Sequence, residues 1–293
     1  MTTRSVETRV SGPARPRPRR LSLFAITGRS LIYLLLGLAA ALALIPVVWL
    51  VAASIKGPDD LFSYTFFAPR ATTKNFQELF TTVPFFRYIV NSVFFASTAV
   101  VVQLFLSSLA GFALAKYDFP GKKAIMVLMI ATLMIPGQVT MAPAYELLYR
   151  MGFVDTYHGL LIPGAVSVFG IFLFRQSILQ IPNELIHAAR IDGCSEFRIY
   201  RDIIMPVSRP MIGAFCLISF MGAWNSFLWP QILLHSNTRF TLPIGLNQMI
   251  GLYQQQYGML MAGTLLSVLP VIVLFFLLQK EFVAGLTAGA VKG

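Results

Sequence analysis

A chain of 293 residues is long enough for one or two soluble domains, but 56% of it is hydrophobic, only 12% is charged, and its mean hydropathy is +0.71. That composition excludes an ordinary soluble domain and places most of the chain in lipid. The net charge of +11 raises nucleic acid as a partner, but the Arg-rich stretch has no interleaved aromatics, which argues against nucleic-acid binding. Two cysteines, Cys194 and Cys216, give neither a disulfide framework nor metal-ligand spacing.

Residues 1–30 hold seven Arg, three Pro and one acidic residue, which predicts a disordered basic tail. Arg19-Arg20 before an apolar run resembles a twin-Arg export signal. Pro18 and the lack of a small-residue cleavage site argue against that reading. The apolar run 31–53 is 23 residues, longer than a leader's core, so it is expected to stay as a first span. Residues 54–88, with Pro58, Pro69 and Pro84, are expected outside, partly lying on the membrane. Further spans are expected at 89–115, 124–148 (interrupted by Pro136-Gly137), 159–174, 211–234 and 259–278. A basic hairpin (116–123), a charged loop (180–206) and a polar segment (235–257) separate them. Backbone groups in lipid must be satisfied within their own segment, so the spans are helices. The expected fold is an all-α polytopic membrane protein of six transmembrane helices, with a transmembrane domain over 31–285 and a short tail over 286–293. With the N-terminus inside, 17 of the 23 Lys and Arg fall on inner segments and 6 on outer ones. The positive-inside rule then puts both termini and the charged loop in the cytoplasm.

The charged loop has readable local structure. Pro182 and Asn183 predict a helix start with Glu184 at its positive end. Asp192-Gly193 is a stop signal in which Gly193 takes a positive φ. Ser195 predicts a second cap, after which Phe197, Tyr200 and Ile204 share one face; Pro206 and Pro210 are expected to end this helix. A water-facing knob between membrane helices reads as a docking element for a soluble partner.

Motifs for chemistry are missing. Gly121-Lys122-Lys123 lacks the upstream glycine and the hydroxyl of a phosphate-cradling loop, so this chain is not expected to hydrolyse ATP by that route. His158, His187 and His235 fall on separate loops, and no Gly-x-Ser-x-Gly occurs. Within the expected spans, Glu146 is the one borderline ionisable residue. Ion-coupled carriers place charges at membrane depth, so a neutral solute moved by another subunit's energy is the better reading. Neutral polar residues are present instead, including Gln103, Ser107, Ser108, Ser226 and Gln231. Asn91, Gln138, Trp224, Asn225 and Trp229 are the expected lining of the pathway, with Trp224-Asn225 favoured because its span follows the charged loop. The alternative for each is helix-to-helix bonding, or interface anchoring for Trp229. Pro136-Gly137 and Pro163-Gly164 either open backbone carbonyls to a cavity or are kinks re-satisfied by neighbours.

Four stretches resemble one family. His-Ala-Ala-Arg-Ile-Asp-Gly-Cys-Ser-Glu-Phe at 187–197, followed by Ile-Ile-Met-Pro, is similar to the EAA loop of permease subunits of binding-protein-dependent ABC importers. Ala-Gly-Phe-Ala-Leu-Ala-Lys-Tyr-Asp-Phe-Pro-Gly-Lys at 110–122, Ala-Trp-Asn-Ser-Phe-Leu-Trp-Pro at 223–230 and the last twelve residues resemble the carbohydrate, maltose-type branch. The resemblance runs from about residue 31 to the end. It implies a homologous permease partner, two ATPase subunits that use ATP-Mg, an extracytoplasmic solute-binding protein and a sugar substrate, with no cofactor held by this chain. It also implies ATPase docking by Glu184, His187, Ala188, Ala189, Asp192, Gly193, Phe197, Arg198 and Tyr200. Phe197 and Tyr200 are expected to fill a cleft on the ATPase, and the helices after Pro206 to swing. His187 stands where the family has a glutamate; Glu184, one turn earlier, is the available carboxylate. The rival readings are a self-sufficient secondary carrier of a neutral solute and a membrane scaffold without transport.

Overall fold

The computed structural model describes residues 23–57, 60, 65–252 and 257–288. Most of the expected basic tail and the last five residues of the expected C-terminal tail lie outside the described residues. Among those described, the extended backbone pairs only at one bridge, Lys56 with Ala71; the organised remainder is helical.

The chain divides into two units, 1–48 and 49–293. The first contains most of α1 (Leu23–Ser54), a Leu- and Ala-rich helix with Pro46 inside it. Residues 23–30, assigned to the tail by composition, are already helical, because nothing between Leu23 and the apolar run breaks the ladder.

The second unit continues with α2 (Lys74–Thr82), α3 (Phe85–Lys116), α4 (Lys122–Leu133), α5 (Gly137–Arg150), α6 (Tyr157–Leu161) and α7 (Val168–Ile178). Next come α8 (Asn183–Ile191), α9 (Glu196–Ile199), a π-helical turn (Tyr200–Ile204) and α10 (Met205–Val207). The unit closes with α11 (Arg209–Trp224), α12 (Leu228–Leu233), α13 (Leu242–Leu252) and α14 (Tyr257–Ala288).

Three segments among the described residues are unbroken and apolar enough to cross a bilayer: Gly28–Ser54, Phe85–Lys116 and Tyr257–Val283. The other three expected spans are interrupted. α4 and α5 meet at 98°, where Pro136 has extended ψ (128°) and no N–H to continue the ladder. The expected span 159–174 is two helices, each with its own cap: Thr156 accepts from the Gly159 N–H and Ser167 from the Gly170 N–H. The expected span 211–234 ends its first helix at Trp224, where the Asn225 side chain turns back onto the Met221 carbonyl at 2.9 Å.

Three buried cores include side chains of α3, one of them around Phe95 with Leu160 and Leu233, and the other two mark its ends. Near its Phe85 end, Phe85 and Tyr88 pack with Phe220 and Trp224 of α11 and Met259 of α14. Near its Lys116 end, Phe112 packs with Phe174 and Ile178 of α7 and with the buried face of the charged loop. Gly111 sets that approach: a Cβ there would lie 2.7 Å from Phe174 Cβ and 2.9 Å from the Arg175 backbone nitrogen.

Candidate coupling loop and solute cavity

In the loop, the local signals have the predicted outcome at the turn. Gly193 has φ +80°, and the Gly193 and Cys194 N–H groups return to the carbonyls of Arg190 (3.1 Å) and Ala189 (2.9 Å). Ser195 caps α9 by accepting from the Arg198 N–H. The start of α8 differs from expectation. Pro182 occupies the cap position and Asn183 is already helical, because its side-chain oxygen accepts from Lys116 Nζ at 2.8 Å instead of capping.

The second helix also runs further than its prolines predict. It widens into the π turn at Tyr200–Ile204 and carries Pro206 inside its continuation. The break falls at Ser208, where the axis turns by 81° before α11. Pro206 fits because its missing N–H falls where the wider π turn has already shifted the hydrogen-bond register.

The docking residues divide between two faces. Glu184, His187, Ala188, Asp192, Gly193, Phe197 and Arg198 are exposed; Ala189 and Tyr200 are buried. Tyr200 is 5% exposed, its hydroxyl 2.7 Å from Ser108 Oγ and its ring against Phe112, so it faces inward and fills no external cleft. Phe197 remains 58% exposed. Sequence reasoning missed Leu185 and Ile191, exposed at 50% and 87%. For Ile191 the signal was available: it lies opposite Ile186 and Ala189 on α8, whereas Leu185, one turn before Ala189, borders a cavity with Ser177 and Met211.

The end of α3 grips this loop. Lys116 Nζ also reaches the Ile181 carbonyl, and the Tyr117 hydroxyl donates to Glu196. Arg190 bonds the same carboxylate twice, at 2.7 and 3.2 Å, while its guanidinium lies 5.6 Å over the Tyr117 ring. The Arg190 hydrogen bonds, then Tyr117, hold the Glu196 carboxyl below the usual glutamate range.

A second constellation lies between α3, α6 and α11. Gln103 donates to the Gly164 carbonyl at 2.7 Å and accepts from the Ser219 hydroxyl. It thereby satisfies backbone freed by the break at Pro163-Gly164. Beside it lies a cavity of about 280 Å³ whose lining includes Gln103, Ser219, Ser226 and Trp229. A neighbouring cavity of about 250 Å³ shares Gly164 and Trp229 and adds Gly137 and Thr140. The Trp229 indole nitrogen is buried with no hydrogen-bond partner among the described residues.

The expected pathway residues separate accordingly. Trp229 lines both cavities. Trp224 is 4% exposed, stacked on Phe220, and donates to the Ser267 carbonyl at 3.2 Å; it packs in the core. Asn225 bonds the Met221 carbonyl, and Asn91 bonds the carbonyls of Thr238 and Phe240. Gln138 is exposed in the first turn of α5. Gln103 and Ser226 were visible as neutral polar residues, but only the fold brings them to Ser219 and Trp229.

Outside the lining of either cavity, Asp155 fastens two loops. It adopts φ 57°, and its carboxylate accepts from the His235 and Ser236 N–H groups, the Ser236 hydroxyl and Arg239. Burial works to raise its pKa, but the Ser236 and His235 hydrogen bonds and the Arg239 charge outweigh it and leave the carboxyl below its usual range. No group of three metal-ligating side chains occurs among the described residues.

A helical chain with broken apolar spans, a polar cavity and a projecting two-helix loop has the make-up of a membrane subunit of a transport system. The chain belongs to the family described as binding-protein-dependent transport system inner membrane component, whose model matches residues 103–287. It is similar to the arabinooligosaccharides transport system permease protein AraQ of Halalkalibacterium halodurans, 38% identical over 87% of this chain and 93% of that protein. It also resembles the lactose transport system permease protein LacG of Rhizobium radiobacter (33%; 89% and 95%) and the sn-glycerol-3-phosphate permease protein UgpE of Salmonella typhimurium (35%; 69% and 73%). Its fold matches a chain of a bacterial ABC transporter that imports the acidic polysaccharide alginate, with TM-score 0.77 and 22% identity over 92% of this chain and all of that one.

Proposed function

We propose that this chain is one of two permeases in an ABC importer for a neutral sugar or short oligosaccharide. The substrate arrives on an extracytoplasmic binding protein, and ATP-Mg is used by two separate ATPase subunits. Six crossings follow if α4–α5, α6–α7 and α11–α12 each count as one interrupted crossing beside α1, α3 and α14. The Lys and Arg distribution supports cytoplasmic termini and a cytoplasmic loop 180–206. Relatives named for arabinooligosaccharides and lactose support a sugar. The cavity lining, with amide, hydroxyl and indole groups and no charged side chain, favours a neutral one over a phosphate ester or an acidic polysaccharide.

The observation that carries the docking assignment is the outward face of the loop. Ile191 and Phe197 are exposed there, while the opposite face is buried on α3 and α7. Exposed apolar residues rimmed by charge mark a protein contact. Glu184, His187, Asp192 and Arg198 form the charged rim, and Gly193 sets the turn between the two helices. On this reading Ile191→Asp or Phe197→Asp abolishes co-purification with the ATPase subunits. Retention of the ATPase by both variants would refute the assignment.

The sugar contact is assigned to Trp229 with Gln103, Ser219 and Ser226. Because the Trp229 N–H has no partner among the described residues, Trp229→Phe removes no hydrogen bond among them. Uptake is therefore expected to fall on the order of fivefold to tenfold with the melting temperature unchanged. Unaltered uptake would remove Trp229 from the pathway.

A further inference from the structure

Two stretches far apart in sequence, 108–117 at the end of α3 and 181–204 around the loop, meet at four separate places. Lys116 ties the start of α8 through the Ile181 carbonyl and Asn183. Tyr117 ties the start of α9 through Glu196, which Arg190 holds from the end of α8. Ser108 ties the first residue of the π turn through the Tyr200 hydroxyl, and Phe112 packs its ring between those of Tyr117 and Tyr200. Both short helices are thus fixed to one membrane helix by side chains of that helix. Covalent continuity with α11 runs instead through Ser208, where the axis bends by 81° and a buried hydroxyl has no partner among the described residues.

We infer that the docking loop and the Lys116 end of α3 move as one rigid body, with Ser208 as the hinge to α11, and that Tyr117 and Ser108 are the positioning residues that transmit the motor's stroke. This rests on the docking role proposed for the loop and specifies which membrane helix receives its force. The physical ground is redundancy. A single surface ion pair would slip. Here a lysine on a helix-end carbonyl, a shared carboxylate, a buried hydroxyl pair and an aromatic stack constrain the same two elements from different directions. Across the bend at Ser208 the bracing is less directional: Ile204 and Phe215 share one apolar core, and single backbone bonds run from the Ser208 N–H to Ile204 and from the Ile212 N–H to Ser208. Among the described residues the Ser208 hydroxyl has no partner, and Pro210 supplies no N–H to the new helix. A π turn beside a bend is a common place for helices to be remodelled in use.

The inference differs from a lever that acts on α11 alone. If α3 is the output, loosening the clamp leaves a loop that still docks but no longer drags the membrane helix. Tyr117→Phe keeps the ring over which Arg190 sits and removes the hydroxyl that bonds Glu196 and borders Arg190; Ser108→Ala removes the bond to Tyr200 together with a bond within α3 to the Phe105 carbonyl. In the reconstituted importer with its binding protein, each variant is expected to raise the ATP hydrolysed per sugar transported on the order of fivefold, and the double variant more. A purely structural role would lower assembly or melting temperature and leave that ratio unchanged. An unchanged ratio in the double variant overturns the inference.

A measurement independent of those variants uses spin labels in a Cys194→Ala, Cys216→Ala background. One is placed at Asp192 on the loop and the other at Phe105 on α3 or Ile218 on α11, all exposed positions. Between the nucleotide-free and ATP-trapped importer, the 192–105 distance is expected to change clearly less than the 192–218 distance. The reverse order overturns the rigid body while leaving docking intact. No change in either distance, with the ATPase bound and turning over, overturns the docking role and the clamp with it.

Discussion

Gly193 offers a clean test of whether loop shape matters to coupling. Its φ is +80°, and a Cβ added there would meet nothing within 4 Å. Packing therefore contributes nothing to the cost of substitution, and the backbone conformation supplies all of it. An L-residue in the left-handed region costs about 1–2 kcal/mol, partly offset for alanine by lower freedom in the unfolded chain. Asparagine tolerates this region better than other non-glycine residues, and valine is among the worst, being β-branched. With 1.4 kcal/mol equal to about a tenfold change in population, Gly193→Asn should cost only a few-fold in the population of the helix–turn–helix shape. Gly193→Ala should cost about fivefold, and Gly193→Val about thirtyfold or more. The bonds that close the turn, from the Gly193 and Cys194 N–H groups to Arg190 and Ala189, would be lost first. The assay is sugar uptake into proteoliposomes measured beside ATP hydrolysis. Uptake per ATP should fall in the order Gly, Asn, Ala, Val. Equal damage by Asn and Val, or normal coupled uptake by Gly193→Val, would refute the reasoning.

Three further outcomes follow from particular contacts. Gly111→Ala places a methyl 2.7 Å from Phe174 Cβ and 2.9 Å from the Arg175 nitrogen, so α3 and α7 must part; about 1–3 kcal/mol of destabilisation is expected, read as a lower melting temperature in detergent. Glu196 has a folded-state pKa below its unfolded value. Its contribution is therefore present above the ordinary glutamate pKa and lost as pH falls through the lower folded value. Protection of loop amides from hydrogen exchange should weaken over that acidic window, and Glu196→Gln should flatten the dependence. Asp155→Ala removes the carboxylate that holds His235, Ser236 and Arg239 and is expected to cost about 1–3 kcal/mol locally. Limited proteolysis at 235–241 should speed up, while Asp155→Asn, which tolerates the positive φ, should be the milder change.

Short-range signals in the sequence specified what short-range physics controls. Asp192-Gly193 stops α8 and Ser195 caps α9, because a positive φ and a side-chain cap involve only neighbours within a turn. Asn183 fails as a cap for a reason 67 residues away: Lys116 competes for its oxygen, and no local pattern encodes that. The division of Phe197 from Tyr200 is of the same kind. Both sit on one side of the helix, but Ser108 and Phe112 cover only one of them, and the end of α3 decides where cover stops. Hydropathy located the apolar runs while averaging across Pro163-Gly164 and Asn225, since the window that detects a span is longer than the break within it. Trp224 and Trp229, five residues apart, look equivalent in sequence. One stacks on Phe220 in the core and the other borders both cavities, because a three-residue break after Trp224 re-aims the chain.

The two candidate sites share a physical connection. Gln103, which holds open the break at Gly164, and Ser108, which bonds the π turn, are five residues apart on α3, about 7.5 Å along a helix that is unbroken between them. An α-helix barely compresses over that length, so a displacement at Lys116 and Ser108 reaches Gln103 almost undiminished. At Gln103 it acts on two bonds at once, to the Gly164 carbonyl and to Ser219 of α11. Shifting α3 relative to α11 must strain or break one of these, which uncovers backbone polar groups beside the cavity where a hydroxyl-rich solute would replace them. On the proposed reading, the polar cavity and the exposed apolar face of the loop are two ends of one rod, and a shift at one end is expected to be felt at the other.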